Sequence, residues 1–324
     1  MKPLYFLKGR TALKYGLKYL GLKKNDKLLV PAFICDVVIE ELNQLNIKPV
    51  YYLINKNFEA NWLDIKKKYT KDVKGILMVH FFGKPQKLDK FRKFTKQKKI
   101  YLIEDNCHGF NGLKKIKLSG DISITSPYKI IDEINHGGIL FINKKKKVSN
   151  FIFDKPKQFN NSFFQNIRNK IKRIKFLKIV YRFFINRPNY ESISINFSQE
   201  MKKDYLLDFD TVSKINKFSL IQEKDLRIQR FNFWRKKMKK FKIQPYFNYT
   251  KNDNYILWYC VVKIDNYKLR QKVYNWGWKN NIDIISWPSF PKECGKNDLT
   301  YKFSRKFVLF PLNKDFNNDE KFKY

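Results

Sequence analysis

Residues 75–104 read GILMVHFFGKPQKLDKFRKFTKQKKIYLIE. Two apolar runs, 75–82 and 99–104, flank a polar-rich segment at 87–97 that reads as a helix. Strand, helix, strand is the repeating unit of a parallel sheet, because a parallel neighbour is reached only by a crossover long enough to hold a helix. The pattern repeats outward. Runs at 27–33 (KLLVPAF), 48–54 (KPVYYLI), 121–125 (DISIT) and 138–142 (GILFI) read as strands bounded by turn or charged residues, and 11–22 and 35–45 read as helices. The alternation predicts an α/β fold with a mostly parallel sheet covered by helices. Further on, 205–241 reads as helical and 266–277 as a helix, with strands at 255–264, 282–287 and 307–312.

The chain has 324 residues, 43% of them hydrophobic, enough to bury a large core. Lys and Arg number 68 against 29 Asp and Glu, a net charge of +39, which brings nucleic acid or an anionic membrane into consideration. The lysines run through the whole chain, however. The abundance of Lys, Asn, Ile, Phe and Tyr beside only 12 Gly and 11 Pro is the bias that AT-rich coding imposes. Charge spread in this way is mostly solvated surface and weak support for a groove that tracks phosphates. One stretch stands apart: residues 155–190 contain no Asp or Glu, and Ile167, Ile171, Ile174, Leu177, Val180 and Phe184 recur at helical spacing among basic residues. This predicts a basic amphipathic helix over 163–186. Such a helix could lie on an anionic membrane, but packing of its stripe on its own protein is the commoner use and the expectation here.

Cys35, Cys107, Cys260 and Cys294 are far apart and lack paired spacing, so neither a metal knuckle nor a disulfide framework is expected, and a reducing cytoplasm fits. No run of about 18 apolar residues occurs, and MKPLYFLKGR has no extended apolar stretch after its early lysine. A soluble, cytoplasmic protein is expected.

In open α/β sheets ligands bind beyond the carboxyl ends of the parallel strands, so polar residues following apolar runs are the candidates. At 9-GRTAL-13 a helix start offers backbone N–H groups, the Thr11 hydroxyl and a positive dipole end to an anion. At 99-KIYLIEDNCHG-109 a strand ends in Glu104 and Asp105, with His108 close behind. At 119-SGDISITSPYK-129 another strand ends in Thr125 and Ser126, followed by Lys129, and His136-Gly137-Gly138 reads as a tight turn into the next strand. Each alone has a bland reading: a helix cap, a turn former, a structural histidine, a solvated lysine. Together they are the parts needed for pyridoxal phosphate: donors for the phosphate, a carboxylate to keep the pyridine nitrogen protonated, and an amine for the aldehyde.

The set, in order, resembles the DegT/DnrJ/EryC1/StrS family of pyridoxal-phosphate-dependent sugar aminotransferases. The resemblance is carried by GRTAL (9–13), VPAF (30–33), VHFFGKP (79–85), IEDNCHG (103–109), SGD (119–121), SPYK (126–129) and the glycines at 137 and 138. It implies the type I fold of that cofactor class, with a large domain over 1–235, a smaller C-terminal α/β domain over 236–324, and a homodimer. It implies that Lys129 bonds the cofactor and moves the substrate proton, that Asp105 pairs with the pyridine nitrogen, and that His108 sits beside the ring. Thr11, the adjacent backbone at Ala12, and Ser126 would hold the phosphate with Arg10 as counter-charge, and Phe33 would cover the cofactor face. The implied reaction moves an amino group from an amino acid, with glutamate the expected donor, to a nucleotide-linked keto sugar, for surface polysaccharide or lipopolysaccharide synthesis. Members that dehydrate their substrate carry His at the lysine position, which Lys129 argues against. A basic nucleic-acid or membrane binder on the same scaffold is the remaining alternative. The family's G-x-N-x-R-M stretch has no clean counterpart; 195-INFSQEM-201 is nearest.

Overall fold

The computed structural model describes residues 3–113, 119–143, 203–287 and 299–313, with 156–158, 182, 184, 187, 289–291 and 293 between them. Almost all of the basic segment at 163–186, and 195–201, lie outside the described residues. The elements begin β1 (Leu4–Phe6), α1 (Gly9–Tyr19), β2 (Lys27–Pro31), α2 (Asp36–Gln44), β3 (Lys48–Tyr52), α3 (Trp62–Lys68), β4 (Val73–Val79), α4 (Leu88–Lys98), β5 (Tyr101–Asn106), β6 (Ile122–Thr125) and β7 (Gly138–Ile142). They continue with β8 (Lys157–Gln158), β9 (Tyr205–Leu206), α5 (Phe209–Asn216), α6 (Leu220–Met238), β10 (Tyr259–Lys263), α7 (Tyr267–Lys279), α8 (Leu299–Ser304) and β11 (Phe307–Pro311).

Nine strands form one sheet in the order β3-β2-β4-β5-β6-β7-β1-β9-β8. From β3 to β6 every pairing is parallel, while β7 joins β6 and β1 antiparallel. The unbroken apolar runs of β2 and β4 follow from burial on both faces. Leu28, Val30, Leu77, Val79 and Ile103 share a core with Ala12, Leu13 and Leu17 of α1 and Val38, Ile39 and Leu42 of α2. The alternate residues Leu29, Ile76, Met78 and Leu102 pack with Ile65 of α3 and Phe91 and Phe94 of α4. Odd and even positions of one strand thus serve opposite layers.

The C-terminal part differs from the sequence reading in three places. The helical stretch at 205–241 is β9 followed by two helices, because Lys217 caps the end of α5 and Ser219 opens α6. Of 255–264 only β10 is strand, and 282–287 holds no more than an isolated bridge from Ile285 to Leu309. β10 and β11 form a separate antiparallel pair. α6 runs through residue 235, and its Phe231, Trp234 and Met238 join the core that also takes in β2, β4 and β10.

Candidate functional site

The alternation of β5 separates the adjacent carboxylates Glu104 and Asp105. Glu104, in phase with Leu102, accepts from the N–H groups of Ser119 (2.8 Å) and Gly120 (3.1 Å) and from Ser123 Oγ (2.7 Å). His80 Nε2 lies 2.9 Å from its other oxygen. His80 Nδ1 accepts the N–H of Gln86 at 3.0 Å, so Nε2 carries the proton given to Glu104. Burial alone would raise the Glu104 carboxyl, but these donors, His80 foremost, hold it below the usual range. Glu104 and His80 border a cavity of about 800 Å³ together with Lys224 and Tyr255. With its carboxylate fully engaged by protein donors, this cavity is not where reactive groups converge.

They converge on the other side. Asp105, in phase with Ile103, accepts the Cys107 N–H at Oδ1 (2.9 Å). With Gly9, Cys35, Cys107, His108, Ser126 and Lys129 it lines a cavity of about 380 Å³, within the range of small-ligand pockets. The cavity stands at the carboxyl ends of β5 and β6, where an open sheet binds its ligands.

Each wall has a local cause. The first helical bond of α1 runs from the Ala12 N–H to the Lys8 carbonyl, so the N–H groups of Gly9, Arg10 and Thr11 stand before the helical ladder begins, and no side chain caps them from Lys8. A Cβ at Gly9 would lie 2.2 Å from Ser126 Oγ and 3.1 Å from Cys107 Sγ. Glycine alone lets the positive end of α1 meet the hydroxyl that follows β6.

His108 is buried, its Nδ1 accepting the Phe82 N–H at 3.2 Å. Phe82 is held at φ 58°, a costly conformation for a bulky residue. Burial first, and then the nearby Lys129 charge, push the His108 pKa well below its ordinary value, which leaves a neutral imidazole with its proton on Nε2. The ring stacks on Trp258 at 4.3 Å and 20°. Lys129, in the turn after β6, places Nζ 4.6 Å from the centre of the same indole. Burial works against its charge, but Tyr128, Cys107, Cys35 and Asp105 outweigh it and hold the amine above its ordinary pKa. Burial pushes the Cys35 thiol up to about 12, and the Cys107 thiol is raised by the same cause.

The structure therefore brings Asp105, His108, Ser126, Lys129 and Arg10 to one cavity. Arg10 arrives already partnered, with Nε 3.4 Å from Glu41 Oε1. Thr11 and Ala12 are buried in α1 and their side chains do not border the cavity. Phe33, expected on the cofactor face, is fully buried among Phe58, Phe81 and Trp287, and its neighbours Ile34 and Cys35 border the cavity in its place. Sequence reasoning missed three residues. Cys107 could have been found, since it lies two positions beyond Asp105 on the same face. Trp287, which borders the cavity, and Trp258, which stacks on His108, come from the C-terminal half and follow no motif.

Residues 6–152 match the sequence profile of the DegT/DnrJ/EryC1/StrS aminotransferase family. Over that stretch the chain is similar to that family. Its relatives include GDP-perosamine synthase of Vibrio cholerae, 28% identical over 160 residues that cover 47% of this chain and 42% of that protein. Another is the 3-oxo-glucose-6-phosphate:glutamate aminotransferase of Bacillus subtilis, 28% identical over 166 residues, 50% of this chain and 36% of that protein. The matched stretches thus span less than half of either relative. The crystal structure of NtdA from Bacillus subtilis with bound cofactor PMP superposes with a TM-score of 0.61 at 18% identity, over 96% of this chain and 68% of that one. The chain therefore has the fold of the pyridoxal-phosphate aminotransferases, as the sequence resemblance implied.

Proposed function

We propose that the protein is a pyridoxal-phosphate-dependent aminotransferase that moves an amino group from an amino acid to a nucleotide-linked keto sugar. The observation that carries this reading is the convergence of Lys129, Asp105, His108 and Ser126 on one cavity in a chain similar to this family. The donor set fits the cofactor in number and kind. The Gly9 notch and the start of α1 put N–H groups and the Ser126 hydroxyl together for a phosphate. Asp105 offers an acid for a ring nitrogen, and Lys129 an amine for an aldehyde. When bound, the group supplies an aldehyde that carries nitrogen and a conjugated ring that accepts an electron pair.

The chain's own residues do the rest. Asp105 would hold a proton on a ring nitrogen of the bound group, and His108, neutral and fixed through Nδ1, would offer Nε2–H to an acceptor in the cavity. Lys129 Nζ takes the proton from the donor's α-carbon and returns it on the far side of the transfer. The apolar side chains of Phe81, Val79 and Trp287 border the same cavity. The two relatives' names support an anionic sugar acceptor, one through GDP and the other through a phosphate, and the second also supports glutamate as donor. A net charge of +39 raises the encounter rate with such a substrate. The same reading places the enzyme in the cytoplasm as a homodimer serving surface polysaccharide or lipopolysaccharide synthesis.

The test is spectroscopic and chemical. Purified protein with added pyridoxal phosphate should develop a visible absorbance band, and borohydride reduction should fix the cofactor on the peptide containing Lys129. Lys129→Ala should abolish both, along with amino transfer from glutamate to nucleotide-linked keto sugars. A wild-type protein that takes up no cofactor, or fixes it at another lysine, contradicts the proposal.

A further inference from the structure

One indole touches two of the groups that the proposed chemistry needs. The Trp258 ring stacks on His108 at 4.3 Å and stands 4.6 Å from Lys129 Nζ. It belongs to the C-terminal part, on the approach to β10, yet four hydrogen bonds fix the segments around it. The backbone N–H of Trp258 donates to the carbonyl of Phe82 (2.8 Å), the residue whose N–H holds His108. Arg227 of α6 is completely buried and donates through Nη1 to the carbonyls of Leu257 (3.1 Å) and Trp258 (3.0 Å). Through Nη2 it donates to the carbonyl of Ile130 (3.1 Å), the residue after Lys129. A single guanidinium, itself paired with Glu223 at 2.6 Å, thereby sets the distance between the backbone that carries the indole and the backbone that carries the amine.

We infer that Trp258 is a positioning residue for Lys129, its ring holding the ammonium form by cation–π attraction and its placement being fixed by Arg227. The inference rests on the proposed role of Lys129, but its physical content is a property of the cofactor-free cavity. An ammonium over an indole face that is partly shielded from water is stabilised relative to the neutral amine. The other groups facing Lys129 are Asp105, Tyr128, Cys35, Cys107 and His108. Tyr128, Cys107, Cys35 and Asp105 favour the charge there against burial, and His108 is uncharged. The indole face adds to them through its contact with Nζ. Only a neutral amine is nucleophilic, so the ring makes Lys129 a reserved nucleophile until the cavity fills.

Competitive acetylation with acetic anhydride across a pH series, read by peptide mass spectrometry on cofactor-free protein, gives the pKa of the Lys129 amine directly. In Trp258→Leu, which keeps an apolar side chain and removes the π face, that pKa should fall by about one unit, and the labelling rate at neutral pH should rise about tenfold. Trp258→Phe, with a weaker ring, should fall between. A residue that merely supports the fold predicts slower or unchanged labelling. A Lys129 curve in Trp258→Leu that coincides with wild type, or a Phe variant no closer to wild type than Leu, overturns the inference. Borohydride fixation of pyridoxal phosphate on wild type is run alongside. Its failure counts against the proposed function alone, because the labelling curve needs no cofactor.

Discussion

Glu41 offers a direct test of the electrostatics behind the cavity. It is 2% exposed, and its Oε2 is buried without a hydrogen-bond partner, while Oε1 faces Arg10 Nε at 3.4 Å. Burial pushes its pKa up to about 7, against smaller lowering effects from Lys14 and Arg10. An unfolded glutamate titrates near 4.3. Between these values the folded chain holds a proton that the unfolded chain has released, so stability falls as the pH rises from about 4.3 to about 7 and is level above that. Over pH 5 to 8 the loss amounts to about 2 to 3 kcal/mol. Glu41→Gln mimics the protonated form at every pH and should remove this slope. Urea unfolding of both proteins at pH 5, 6, 7 and 8 measures it. The gap between variant and wild type should move in the variant's favour by that amount across the series. Parallel stability curves would refute the assignment, and a gap moving the other way would mean that the Arg10 pair outweighs desolvation.

Three other perturbations have defined outcomes. Gly9→Ala puts a Cβ 2.2 Å from Ser126 Oγ; it should cost about 1–3 kcal/mol of stability and weaken pyridoxal phosphate binding at least tenfold by absorbance titration, whereas unchanged binding would mean the phosphate sits elsewhere. Arg227→Met leaves Glu223 buried without its 2.6 Å partner and should destabilise by about 3–5 kcal/mol in a denaturant melt. Glu104→Gln loses a carboxylate held below its usual range by His80 and Ser123. Its stabilising effect is present above the unfolded pKa and disappears as the pH falls through the folded one, so the deficit of this variant should be large at pH 7 and shrink toward pH 3.

The parallel sheet was legible because burial on both faces writes itself as contiguous apolar runs, and β2 to β7 lie where those runs lie. α3 was not legible. Its sequence WLDIKKK looks like a lysine run, and only Ile65 of it is buried. It is a helix because Asn61 accepts from the N–H groups of Leu63 and Asp64 and because Ile65 plugs the core beneath α4. β1, three residues long, is a strand only because β7 and β9 pair with it on either side. Neither partner is visible in LYF itself. At the site, Asp105 and Lys129 stood out as polar residues beyond strand ends, and both border the same cavity. Phe33 was misplaced because the chain's turn after β2 is decided by the aromatic cluster around Trp287, more than 250 residues away.

That last distance bears on how the cavity was divided along the chain. The match to the family model ends at residue 152, and the part up to there brings an acid, an amine, a hydroxyl and a helix start to the cavity. The part after it adds Trp287 to the cavity wall and Trp258 behind it, against His108 and Lys129. They are large, rigid and held by backbone hydrogen bonds and core packing. A change there alters the shape of the space and the charge state of the amine without removing a reactive group. Substrate preference in this protein should therefore respond most to the C-terminal half, and loss of chemistry most to the N-terminal half. Variants at 105 and 129 should abolish turnover with every acceptor, while Trp287→Phe should change the ratio of kcat/KM between acceptors. A uniform loss across acceptors for Trp287→Phe would show that the aromatic wall serves stability rather than selection.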